Sequence, residues 1–116
     1  LSNRYPEYVE WLRGHQPERA LWWPIPDLHA PSADEAAEWL ALLRSRLQSG
    51  QTLLVHCGAG IGRAGTVAAG LLITFGVPMD EAVAHVGAHR PMAGPEAGAQ
   101  TDLLHALATR HGAEPF

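Results

Sequence analysis

The chain has 116 residues, 47% of them hydrophobic and 17% charged, within the range of one globular domain and outside that of a disordered segment. All eight basic residues are arginine, which excludes a Schiff-base lysine, a lysine general base and the lysine of nucleotide-hydrolase P-loops. Twelve acids set the net charge at −4, opposite to the basic footprint that nucleic acid or an anionic membrane requires, and the single Cys57 cannot form an internal disulfide.

The chain reads as a single domain over residues 1–116, with no signal peptide at its start. Its most apolar stretch, residues 67–73, holds Gly70 and falls well short of the roughly 18–20 residues of a membrane span, so the expected location is cytoplasmic. Residues 5–12 predict a short helix with Tyr8, Val9, Trp11 and Leu12 as its apolar members. Residues 20–23 predict a short strand that Pro24 and Pro26 stop. Ser32-Ala33-Asp34-Glu35 has the capping-box form, and Ala36, Leu40, Leu43 and Leu47 behind it lie on one helical face. Glu35 and Glu38 near the start and Arg44 and Arg46 near the end suit the helix dipole, and Ser49-Gly50 is the stop.

Thr52-Leu53-Leu54-Val55-His56 predicts a strand buried on both faces. A glycine-rich turn then leads into residues 63–75, apolar nearly all round and so expected in the middle of the fold. Pro78 opens a further helix with Ala82, Val83 and Val86 inward, ending near Arg90-Pro91. A loop over residues 92–98 precedes a last helix carrying Leu103, Leu104 and Leu107. The order is helix, strand, helix, strand, then three helices, an α/β arrangement with a small central sheet. Two strands alone make a poor sheet, so strands that a complete domain would have are missing from this count.

A glycine-rich turn between a strand and a helix gathers backbone N–H groups at a helix N-terminus and is an anion site. Gly60-Ile61-Gly62-Arg63-Ala64-Gly65 satisfies the dinucleotide pattern G-x-G-x-x-G, with Asp80 and Glu81 about twenty residues on. Those acids follow Pro78 at a helix start rather than ending a second strand, which argues against a nicotinamide-dependent oxidoreductase. A third chemistry explains more residues. His56-Cys57-Gly58-Ala59-Gly60-Ile61-Gly62-Arg63 carries a cysteine at a strand end and an arginine six positions later.

This Cys-x5-Arg loop resembles that of the cysteine-dependent protein phosphatases of the dual-specificity type, in the protein tyrosine phosphatase superfamily. A thiolate is needed to attack phosphorus, and converging amides, a helix N-terminus and Arg63 all favour the anion of Cys57. Five intervening residues let the amides of Gly58, Ala59, Gly60, Ile61, Gly62 and Arg63 wrap one phosphate. The guanidinium of Arg63 then holds two of its oxygens, where charge spreads in the transition state. The plainer alternative is that Cys57 is a small buried hydrophobe. Pro26-Asp27 resembles the family's acid loop, which makes Asp27 the proton donor to the leaving group. Spacing fits this, because a helix of about 25 Å running back and a strand of about 20 Å running forward return Cys57 to the edge that carries Asp27. Asp27 as a mere turn residue is the alternative, and Asp34 is the rival carboxylate with a capping-box position.

The resemblance also implies that His56 orders the loop by hydrogen bonding. Gln100 stands where relatives carry a glutamine that positions the hydrolytic water, or else it is an exposed helix residue. Glu96 is a further carboxylate in the same loop, and Arg90-Pro91 resembles a family element at a helix end that caps the helix. Relatives place serine or threonine after the arginine to help the thiolate leave. Here Ala64 stands there and Thr66 comes two positions later, so the phosphocysteine is expected to accumulate. His85 and His89 have metal-ligand spacing but no third ligand, and His29 sits beside the presumed acid.

The implied fold is the dual-specificity phosphatase type lacking the first one or two strands, either as an N-terminally trimmed fragment or as a shortened domain with an open sheet edge. The implied function is a protein phosphatase that hydrolyses phosphotyrosine and/or phosphoserine/threonine through a phosphocysteine, with no metal or other cofactor. Its substrate is a phosphoprotein or phosphopeptide, with phosphate-like anions in the loop, and neither nucleic acid nor membrane is a partner. A thiolate beside a protonated Asp27 implies a mildly acidic optimum in kcat/KM. The alternative is a phosphate-binding module with little turnover.

Overall fold

The computed structural model describes residues 6–16, 20–21, 23–26, 28–57, 62–96 and 98–112. Five helices order these residues: α1 (Pro6–His15), α2 (Ala33–Gln48), α3 (Gly62–Thr74), α4 (Met79–His89) and α5 (Gly98–Gly112). Local chemistry sets the ends of α2. Ser32 Oγ accepts the Glu35 N–H at 3.2 Å at its start. At its end Gly50, at φ +91°, donates its N–H to Leu47 O, and Gln51 N–H reaches Arg46 O. The same pair of bonds closes α3, from Gly76 (φ +96°) to Ile73 O and from Val77 to Leu72 O. Both are Schellman ends, and both use a glycine where a side chain would be strained.

Helix α3 is the hub, packed against α2, α4 and α5. Leu40, Ile73, Leu104 and Leu107 are its fully buried neighbours and members, with Ala36, Ala69 and Ala82 filling the spaces between. Small residues on α3 permit this closeness. A Cβ at Gly70 would stand 3.2 Å from Leu40 Cδ1 and 3.3 Å from Leu107 Cδ1. Arg44 of α2 donates to Thr74 O and lies over the Phe75 ring, and Arg110 of α5 pairs with Asp34 of α2. No helix of the described residues is long and apolar enough to cross a membrane.

Two expectations require correction. The central sheet of an α/β fold is absent, because no strand occurs among the described residues. In the segment 51–57, burial alternates instead of covering both faces. Leu53 and Val55 are half-buried, whereas Leu54 is 88% exposed. Residues 52–56 make no hydrogen bond with the backbone of other described residues, so no ladder defines a strand. The other expected strand, residues 20–23, likewise forms no ladder among its described residues: the Ala20 N–H goes to His15 O at 3.2 Å. Beyond it Pro24 and Pro26 lack N–H groups, and the carbonyl of Ile25 accepts from Arg63. The apolar side chains of this region, Leu21, Trp23 and Leu53 among them, pack directly on the helical cluster. The second correction is smaller. The first helix runs on past Leu12 to His15, and Trp11, one of its apolar members, is 43% exposed and stacks with Tyr8 and His15.

Candidate active site

The segment 51–57 ends on Cys57, whose half-buried sulfur accepts the N–H of Ala64 at 3.4 Å. Ala64 belongs to the first turn of α3, where backbone N–H groups have no partner inside the helix. The thiol therefore caps an apolar helix at its positive end, a placement that favours thiolate over thiol. Gly58, Ala59, Gly60 and Ile61 of the loop, and Asp27, lie outside the described residues. Gly62, the first residue of α3, is buried, and a Cβ there would collide with the Glu96 carboxylate. Gly65 is more tightly constrained, because its Cβ would run into the Gly94 backbone, which cannot swing aside as the Glu96 side chain can. The glycine that completes the dinucleotide pattern thus serves to seat the loop between α4 and α5 on α3.

Arg63 is half-buried and its Nη1 donates to Ile25 O at 2.9 Å, which ties the start of α3 to the segment leading to position 27. Trp23 at the head of that segment stacks on Trp39 of α2, with ring centroids 5.0 Å apart, and its Nε1 donates to Glu35 at 3.1 Å. Beyond position 27, His29 N–H returns to Pro26 O at 3.0 Å and closes a turn. Leu28 in that turn has φ +63°, a left-handed conformation rare for a leucine. A cavity of about 10 Å³ beneath the segment, bordered by Trp23, Ile25, His29, Arg63 and Thr66, has room for no more than about one water.

Gln100 is not an exposed helix residue, being 1% exposed. Its Oε1 accepts the Glu96 N–H at 2.7 Å and faces the Thr66 hydroxyl at 3.4 Å, and its Nε2 donates to His29 O at 3.4 Å. Thr66 is buried and its hydroxyl donates to Gly62 O at 2.6 Å. Ala64 is 8% exposed and carries no hydroxyl to take the role that serine or threonine plays in relatives. Asp34, the rival carboxylate, is held by Arg110 on the outer face of α2 and α5. Arg90 is the C-cap of α4, its N–H bonded to Val86 O.

The structure thus gathers Cys57, Arg63, Gln100 and the carbonyls of Ile25 and His29 at the first turns of α3. His56 is exposed and turned toward α1, where its Nε2 lies 2.7 Å from the Tyr8 hydroxyl. Neither the Tyr8 contact nor the Glu35–Trp23 bond is predictable from the sequence. Tyr8 lies 48 positions from His56, and Glu35 is already accounted for by the capping box. Thr66 carries a weak signal, as a hydroxyl two residues after Ala64 in a mostly apolar helix.

Residues 1–115 match the family described as the Swiss Army Knife protein, DSP-PTPase phosphatase domain. Protein tyrosine phosphatase type IVA 3 of mouse is 35% identical over 63 residues, which is 53% of this chain and 36% of that protein. The human protein of the same name is 33% identical over the same extent. The chain therefore spans about a third of the length of these curated relatives. Among solved structures, Tk-PTP in its active form superposes with a TM-score of 0.73 at 37% identity, covering 78% of this chain and 62% of that one. The chain belongs to the DSP-PTPase phosphatase domain family of Swiss Army Knife proteins, a branch of the cysteine-based protein tyrosine phosphatases.

Proposed function

We propose that the chain hydrolyses phosphate monoesters of proteins, phosphotyrosine and/or phosphoserine/threonine, through a phosphocysteine. The observation that carries this reading is the Ala64 N–H on Cys57 Sγ, which puts the sulfur at a helix N-terminus, where an anion is favoured. In the first step the Cys57 thiolate bonds to phosphorus and the bond to the leaving oxygen breaks. Asp27 gives its proton to that oxygen. In the second, water attacks phosphorus, Asp27 takes a proton from it, and the phosphorus–sulfur bond breaks to return the thiolate. Amides of Gly58, Ala59, Gly60, Ile61 and Gly62, with the Arg63 guanidinium, hold the equatorial oxygens in both steps. Membership of the family and the likeness to relatives named protein tyrosine phosphatases support the same reading.

Hydrolysis of an aryl phosphate tests it. Wild type turns over and Cys57→Ser does not. Arg63→Lys loses about 10²-fold or more, because a point charge replaces the two-pronged clamp. Wild-type protein without turnover, or Cys57→Ser with it, contradicts the reading. A second reading, phosphate binding with slow release from the cysteine, is favoured by Ala64 and by the commitment of the Thr66 hydroxyl to Gly62 O. It predicts a stoichiometric burst of phenol followed by a nearly flat time course.

A further inference from the structure

Among the described residues Gln100 is the one polar side chain of the largest fully buried ones, and it touches three separate parts of the site. A glutamine amide offers two acceptor lone pairs and two N–H donors. Here one side of Oε1 takes the Glu96 N–H and the other faces Thr66, while Nε2 reaches the carbonyl of His29. At 1% exposure, little of the amide is left for a water attacking phosphorus. That sits poorly with the water-positioning part which the resemblance implies for this residue.

The turn at residues 26–29 needs holding. It contains Leu28 at φ +63°, a conformation that persists only where the surroundings impose it. The leucine side chain is 52% exposed, so packing does little to fix it. Instead the turn is fastened on both flanks. Arg63 holds Ile25 O before it, and Gln100 holds His29 O after it. The residue between Pro26 and Leu28 is Asp27.

We propose that Gln100 is a positioning residue for protonation of the leaving group. It fixes the exit of the acid turn against α3 and α5, so that the Asp27 carboxyl meets the departing oxygen. This rests on the reading of Asp27 as the acid. Loss of Gln100 is therefore felt when phosphocysteine forms rather than when it breaks down, and most with leaving groups that cannot depart without a proton.

The test compares para-nitrophenyl phosphate with phenyl phosphate, using the whole chain and the variants Gln100→Leu and Gln100→Glu. The nitrophenolate leaves readily unprotonated, whereas phenolate requires the acid. Since kcat/KM covers the steps up to the phosphocysteine, its ratio between the two substrates reads the acid alone. The ratio, nitrophenyl over phenyl, should rise tenfold or more in both variants, with inhibition by inorganic phosphate changed less than twofold. Gln100→Glu keeps an acceptor for Glu96 N–H and so guards against loss of folding in Gln100→Leu. Asp27→Asn should raise the same ratio, and adding Gln100→Glu to it should raise it no further. An equal fall on both substrates overturns the proposal, as does an unchanged kcat/KM with an enlarged burst, which assigns Gln100 to the water. Wild type lacking Cys57-dependent turnover overturns the proposal together with the reading beneath it.

Discussion

The two sides of the site are built in different ways. Behind it, α3 is clasped by α2, α4 and α5 around fully buried Leu40, Ile73, Leu104 and Leu107. In front, the segment 51–57 rests on that cluster through Leu53, with no backbone bonds to residues 52–56 among the described residues and with Leu54 in solvent. Cys57 stands where the two meet. Its sulfur is supplied by the loosely held side and fastened by an amide of the tightly held one. The helix therefore does more to fix the position of this sulfur than the segment that carries it.

Substitutions on the two sides should differ accordingly. Leu104→Ala removes a fully buried side chain from the hub and should cost about 2–5 kcal/mol, read from urea unfolding. Gly65→Ala forces a methyl group against the Gly94 backbone, where no side chain can swing aside. It should cost about 2–3 kcal/mol, toward the upper end of the overpacking range. It should also lower activity, because the loop seated there carries Glu96 and leads to Gln100. Leu54→Thr, at 88% exposure, should change stability by no more than about 0.5 kcal/mol. A cost near that of Leu104→Ala would mean that Leu54 is buried on a second face, and the contrast between the two sides would fail.

The helices were legible because their signals are local. Ser32 and Glu35 announce the start of α2, and Ala36, Leu40 and Leu43 mark its buried face, all of which the structure bears out. The apolar residues of α3 likewise place it at the centre, and Leu103, Leu104 and Leu107 of α5 are buried as their spacing implies. The sheet was not legible in this way. An apolar run such as Thr52-Leu53-Leu54-Val55 has the composition of a buried strand, but a strand exists only when a neighbour accepts its hydrogen bonds. That depends on partners far away in sequence, and here Leu53 packs against the helical cluster instead. The site divides along the same line. Cys57 and Arg63 form a local pattern and can be read directly. Gln100 is 71 positions from the His29 carbonyl it reaches, so its burial and its partners emerge only in three dimensions.

Trapping the covalent intermediate tests the central claim most directly. Protein mixed with excess para-nitrophenyl phosphate, quenched in acid within the first turnovers and weighed intact, should carry one phosphoryl group. Peptide mapping should place it on Cys57, and Cys57→Ser should carry none. Continued hydrolysis in Cys57→Ser, with the wild-type sulfur never phosphorylated, would contradict the account.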